Sequence, residues 1–549
     1  MASSSAPATR NSSAKKGGSR TLRTIKRMAL CVLAAVWVFI HNVLDKIIDF
    51  VFSLIYDDSQ KKNIPEIKDP ILLKSATSLA EAIRKRELTS VTVVKAYIQR
   101  IKEVNGILNA VVDDRFEESI KDAEEVDKLF DSGAISEKEA KETKPFLGVP
   151  FTTKESTSCK GLNFSMGMVA RKGMKAEDDA DVVKLMKEAG AILLAVTNVP
   201  ELNLWCETRC NVYGQTCNPY NTTRTVGGSS GGEAAIIASC GSPIGIGTDI
   251  GGSIRMPAFY CGVFGHKPTT GLTSIKGISF RTGLEADSMV CCGPMSKYAE
   301  DLEPFLRVMV GKKISQIQLN STVNLKELHI MYAEESGDMR ASSVTVETKQ
   351  ILAKAVHHLE TLSTYPVEKL DLLGFKSCFR IWRYWMTKEG GNFARDITNR
   401  QSEVNVWQEL PKMLIGQSTH TLPALLKLLD TAIFPPENAE WAESTKARLQ
   451  DELMEKLGRN GVLLFPSHPF PASYHYSSFL RPYNFGYWAI FNVLKFPVTQ
   501  VPLGLSKEGL PLGIQVVAAP LQDHLCLAVA RELEKAFGGW VAPCPVKTK

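Results

Sequence analysis

Histidine is scarce in this chain, nine in 549 residues, and none of the twelve cysteines forms a CxxC pair or stands at zinc-finger spacing from a histidine. A structural zinc site therefore has no ligand pattern to rest on. Cys206, Cys210 and Cys217 lie close in sequence, but buried or free thiols are the simpler reading. No glycine-rich turn is followed by GK[ST], which removes the P-loop and its nucleotide phosphates. Neither a metal nor a cofactor is expected. Acidic residues are missing from residues 1–27, which carry seven basic ones: Arg10, Lys15, Lys16, Arg20, Arg23, Lys26 and Arg27. Taking those seven charges from the formal net of +6 leaves residues 28–549 at −1. The body thus lacks the basic footprint of a nucleic-acid binder. Linkers, repeats and low-complexity blocks are also absent from position 72 onward.

The first feature present is an uncharged, mostly apolar run at 28–44, followed by a mixed stretch with Ile47, Ile48, Phe50, Val51, Leu54 and Ile55 at helical spacing. Seventeen residues is the lower limit for a membrane-spanning helix, and Trp37 and Phe39 suit a bilayer. The expectation is a basic tail (1–27), a single-pass membrane anchor (28–56) and one catalytic body (57–549). Positive charge before the span favours a cytoplasmic amino terminus and a luminal body. The triplets at Asn163, Asn221 and Asn320 are glycosylation acceptors compatible with that topology. An interfacial amphipathic helix and a cleaved signal are the alternatives, although no small-x-small cleavage site follows the run.

In the body, strand-like runs at 110–112, 148–153, 191–197, 462–465 and 513–518 alternate with helical patterns. One helix face carries Val91, Val94, Ile98 and Ile101, and Ser78 with Glu81 reads as a capping box. A last helix is expected at 522–537. This alternation predicts one large α/β domain with a helix-covered sheet. Two apolar stripes stand out: Phe375, Phe379, Trp382 and Met386, and then Leu422, Leu425, Leu426 and Leu429 with Ile433 and Phe434. Each is core packing or the wall of an acyl-chain channel.

Residues 227–265 hold 11 of the 39 glycines, so backbone there does something side chains would obstruct. Gly245-Ile-Gly247 is half of a dinucleotide fingerprint without its third glycine. Two overlapping GxSxG matches centre on Ser229 and Ser230, but the polar segment before them is no strand, and His468 and His524 lie in unmarked surroundings. The whole stretch taken with Lys154 gives a longer pattern: Gly148-Val-Pro-Phe-Thr-Thr-Lys154, Gly227-Gly-Ser-Ser-Gly-Gly232 and Gly247-Thr-Asp-Ile-Gly-Gly-Ser-Ile-Arg255. This combination resembles the amidase signature family. Further landmarks run from about 72 to 540, including Gly265-His-Lys-Pro268 and Gly509-Leu-Pro-Leu-Gly-Ile-Gln515. Pro466-Ser-His-Pro469 and Arg481-Pro482 look similar to the membrane-bound fatty-acid amide hydrolases within it, the type-two form in particular.

The resemblance implies a mixed β-sheet covered by helices in a single amidase-signature domain, and hydrolysis of lipid amides without a cofactor. Ser253 would be the nucleophile, Ser229 the proton shuttle after a cis peptide, and Lys154 the base. The backbone N–H groups of Ile250, Gly251, Gly252 and Ser253 would hold the oxyanion. Ser230 would support the relay, and Asp249 with Arg255 would pin the loop as an ion pair. Glu155 and Glu233 are assigned no chemistry. Asn203 stands where fatty-acid amide hydrolases contact the reacting centre, with a different side chain. The bilayer would be a partner, at the endoplasmic reticulum or a lipid droplet, and a homodimer stays open. The competing functions are another amidase of the same signature, a glutamine amidotransferase subunit and an inactive membrane scaffold.

Overall fold

Short runs of Val, Ile, Leu and Phe bounded by turn residues become strands that are buried along their whole length. The computed structural model describes residues 14–280 and 288–547, with side chains of 14–27 and 29–31 excepted. The strands are β1 (Val111–Asp114), β2 (Pro150–Lys154), β3 (Ile192–Thr197), β4 (Arg209–Cys210), β5 (Gly214–Gln215), β6 (Ile244–Asp249), β7 (Phe264–Lys267), β8 (Cys291–Ser296), β9 (His329–Tyr332), β10 (Glu368–Lys369), β11 (Gly461–Pro466), β12 (Val498–Leu505) and β13 (Pro511–Ala518). Eleven form one mixed sheet in the order β1-β3-β2-β6-β8-β7-β12-β13-β11-β9-β10, while β4 and β5 pair separately. Parallel pairing of β2 with β3 and β6 gives way to antiparallel pairing of β6 with β8. Every residue of β2, β3, β6, β8, β11 and β13 is buried, as a sheet covered on both faces requires.

The five expected strands and the final helix (Asp523–Phe537) are present within a few residues. Missed strands include β6 and β8, whose glycines and cysteines carry little strand propensity yet are held by central sheet pairing. The expected capping box lies one turn late. The helix Ala76–Arg84 is capped by Ser75, whose side chain accepts from the Ser78 N–H. Two all-buried helices, Gly231–Ala238 and Gly486–Val493, pack behind the sheet ends that carry the site.

The amino-terminal segment gives the expected single-pass anchor (28–56) no support. It belongs to one helix, Ala14–Ile55, but among the described residues no helix is long and apolar enough to cross a membrane. Asp45, Lys46 and Asp49 follow the apolar run, and both aspartates turn toward the body. Asp45 and Asp49 pair with Arg481 at 2.8 and 2.7 Å. Of the basic tail, residues 1–13 and the side chains of 14–27 lie outside the described residues. Asn221 is buried and donates its side-chain N–H to Asp58 at 2.9 Å, whereas Asn320 is exposed.

Candidate active site

Lys154 ends β2, a strand buried along its whole length, and is itself completely buried. Its Nζ donates to Ser229 Oγ and to Thr248 Oγ1, each at 2.7 Å. Burial is the main cause of a Lys154 pKa lowered to about 7, against smaller opposing pulls from Asp249, Cys292 and Glu233. Ser229 follows a cis peptide from Gly228 and precedes the helix Gly231–Ala238. Thr208 fixes this turn by donating to Gly227 O at 2.8 Å and accepting from the Gly231 N–H at 3.0 Å. The Ser230 N–H donates to Ser253 O at 3.2 Å, which holds the two serine segments side by side.

Ser253 lies in the turn between β6 and the helix Arg255–Tyr260. Asp249, at the end of β6, organises that turn. It accepts from the N–H groups of Gly252 (2.6 Å) and Ile254 (3.1 Å), from Arg255 Nε and Nη2 (both 3.1 Å) and from Asn492 Nδ2 (2.9 Å). Burial would raise the Asp249 pKa, but the Arg255 charge and these bonds hold it well below the carboxylate range. Arg255 in turn donates to Trp488 O, Gln515 Oε1 and Asn492 Oδ1, tying the turn to a buried helix and to β13. Ser230 Oγ lies at longer range from Thr248, 3.4 Å from its N and 3.5 Å from its O.

One of the four expected oxyanion donors is already committed: the Gly252 N–H goes to Asp249. Ile250, Gly251 and Ser253 show no bond from their N–H groups among the described residues. A Cβ on Gly251 would come 2.5 Å from Phe485, and one on Gly252 would come 2.5 Å from Trp488. Gly252 also has φ +121°, so glycine is required there on both counts.

Two cavities meet at Ser253. One, about 180 Å³, is lined by Ser229, Thr248, Glu389, Asp396 and Lys427 among others. The second, about 360 Å³, is walled by Trp205, Phe379, Trp382, Leu426, Phe479 and Phe485. Asn203, Leu204, Ile250, Ser253 and Lys427 line both. The two apolar stripes therefore divide their duties. Phe375 and Leu425 are core, Phe379, Trp382 and Leu426 face the larger cavity, Met386 faces the smaller, and Leu422, Ile433 and Phe434 are exposed. Trp382 also donates to Ile250 O at 3.1 Å.

Thr248 and Thr208 were not singled out from sequence, although Thr248 sits inside the motif beside Asp249. Glu233 proves to lie beneath Lys154's strand, accepting from Thr152 and, at 2.8 Å, from Thr197; burial pushes its pKa to about 8. Glu155 accepts from the Ser165 and Met166 N–H groups and holds a loop. His468 stacks on Trp488, and His524 lies on the final helix, so neither enters the serine cluster.

The profile of the family described as Amidase matches residues 92–527. Fatty-acid amide hydrolase 2 of Homo sapiens is 42% identical over 487 residues, covering 87% of this chain and 91% of that protein. Fatty-acid amide hydrolase 2-A of Danio rerio is 43% identical, covering 87% and 92%. A solved fatty acid amide hydrolase superimposes with a TM-score of 0.69 at 21% identity, covering 86% of each chain, a likeness of fold. On the profile match and these relatives, the chain belongs to the amidase family and is an amide-hydrolysing enzyme.

Proposed function

We propose that the chain hydrolyses long-chain fatty-acid amides through an acyl-enzyme, with Ser253 as nucleophile, Ser229 as proton relay and Lys154 as base. One observation carries this reading. The buried Lys154 amine lies 2.7 Å from Ser229 Oγ, and Ser229 and Ser253 line one cavity. With its pKa brought to about 7, a large share of Lys154 is neutral at pH 7. A neutral amine has one lone pair and two N–H bonds. It can accept the Ser229 proton while still donating to Thr248, which fixes its rotation. Ser229 then takes the proton of Ser253 as Ser253 Oγ attacks the carbonyl carbon.

The carbonyl oxygen gains charge and is met by the free N–H groups of Ile250, Gly251 and Ser253, each such donor lowering the barrier by about 3 kcal/mol. The proton returns through Ser229 to the leaving nitrogen, the C–N bond breaks, and the amine departs. Water activated by the same relay adds to the acyl-enzyme and releases the fatty acid. Because Ser229 lines only the smaller cavity, the amine belongs there and the acyl chain belongs in the larger, aromatic-walled one. Lipid amides partition into bilayers, so the enzyme meets them at a membrane surface.

The test is a panel of amides of increasing acyl length on wild type and Ser253→Ala. Each buried methylene is worth about 0.8 kcal/mol, so kcat/KM for oleoyl amides is expected to exceed that for acetyl amides by at least about a hundredfold. Equal values would remove the acyl-channel reading; residual turnover in Ser253→Ala would remove the nucleophile. One component of the glutamyl-tRNA(Gln) amidotransferase from Prochlorococcus marinus is 27% identical. The aromatic cavity favours lipid over glutamine, and a glutaminase assay is expected to be negative.

A further inference from the structure

The larger cavity has mostly aromatic and aliphatic walls, but behind one of them lies another cavity, of about 20 Å³. Cys206, Met256, Ser478 and Phe485 line both, so the two abut. The far side of the small cavity is polar. Arg481 and Trp488 line it at 6% and 1% exposure, and Arg481 Nη1 and Trp488 Nε1 are buried donors with no acceptor among the described residues. The rest of the Arg481 guanidinium is committed. Its Nε donates to Asp45 Oδ1 at 2.8 Å, and its Nη2 to Asp45 O at 2.6 Å and to Asp49 at 2.7 Å.

His468 lines the same cavity with its ring stacked on Trp488, and it supplies an acceptor. Its Nδ1 lies 2.8 Å from Phe470 O, a contact that places the proton on Nδ1 and leaves a lone pair on Nε2. Burial keeps the ring neutral, with a pKa lowered to about 3.

From this arrangement we infer that the small cavity is an oxygen-recognising subsite of the acyl chamber, which makes acyl amides bearing a neutral oxygen on the chain (hydroxyl, epoxide or ketone) preferred substrates. This rests on the lipid-amide reading above. A cavity of about 20 Å³ has room for one oxygen atom. Buried donors left without acceptors cost free energy, and an oxygen placed between them recovers it. A plain hydrocarbon chain offers no acceptor, so the gain belongs to oxygenated chains. A hydroxyl suits the set best, since it accepts from Arg481 or Trp488 while donating to His468 Nε2. Charge excludes a carboxylate: Arg481 already faces Asp45 and Asp49, and a third anion meets net repulsion. The subsite also adjoins the catalytic turn, because Trp488 packs on Gly252 and Met256 follows Ser253 by three residues.

The test measures kcat/KM of the full chain for stearoyl amide and for hydroxystearoyl amides with the hydroxyl moved along the chain. One position, or a few adjacent ones, is expected to exceed the plain amide by at least about tenfold. The ketone at that position is expected to share the advantage, and a chain ending in a carboxylate to fall below the plain amide. A ratio near one at every position, the result that a bound water alone would give, would overturn the inference. Arg481→Lys keeps a positive charge against Asp45 and Asp49 but removes Nη1, and is expected to reduce the hydroxyl-to-plain ratio at least about threefold. An undiminished ratio in that variant would also overturn it, whereas a wild type that turns over none of these amides would instead tell against the hydrolase reading.

Discussion

A lysine is a poor base unless water is taken from it, and Lys154 is buried completely at the end of a strand. Its pKa of about 7 has a consequence for rate. In the proposed relay the neutral amine is the active form, so kcat/KM is expected to rise with pH through a midpoint near 7; a profile falling through that point would refute the assignment. Stability follows the same sign. Between about 7 and 10.5 the unfolded chain holds a proton on this lysine that the folded chain does not, so its contribution makes stability rise with pH over that window. Asp249 works in the opposite sense. Its pKa is depressed by Arg255 and by hydrogen bonds, so its stabilisation is present above the ordinary carboxylate pKa and is lost on acidification. Asp249→Asn leaves a fully buried guanidinium without its counter-charge, and denaturant unfolding is expected to show a loss of about 3–5 kcal/mol.

At the scale of elements, the site is built where two strand ends and two turns converge. β2 delivers Lys154 and β6 delivers Thr248 and Asp249, because Thr153 pairs with Ile246 in parallel register. The turn after β6 is pressed against Trp488 and Phe485, so Gly252→Ala must displace Trp488 or abandon φ +121°. Either movement shifts the Ser253 N–H, and a fall in kcat of at least about a hundredfold is expected with little change in KM. The positions of Lys154, Ser229 and Ser253 were legible because three fixed-spacing motifs carry them. The bond from the Gly252 N–H, an expected oxyanion donor, to Asp249 was not legible, because a motif shows which residue is present, not which acceptor its backbone has found. β6 and β8 were hidden for a related reason: Ile-Gly-Ile-Gly and Cys-Cys-Gly-Pro become strands through pairing with distant partners, which local propensity does not encode.

At the scale of the whole molecule, the amino-terminal helix is joined to the catalytic body through Arg481. The uncharged run at 28–44 suggests a span, and Asp45 and Asp49 lie beyond it. Their partner is invisible at that level, since Arg481 lies 436 positions beyond Asp45. Arg481→Gln leaves Asp45 and Asp49 facing a neutral amide. Limited proteolysis is expected to release the helix from the body several-fold faster than in wild type, and an unchanged rate would show that the pair does not hold it.

The central claim is that Lys154, through Ser229, drives acyl transfer at Ser253. The most direct test is the turnover of a long-chain fatty amide by Lys154→Ala, with folding checked by thermal unfolding. Loss of general-base catalysis is expected to lower kcat/KM by about a thousandfold or more. A folded Lys154→Ala enzyme within a few-fold of wild type would contradict the account.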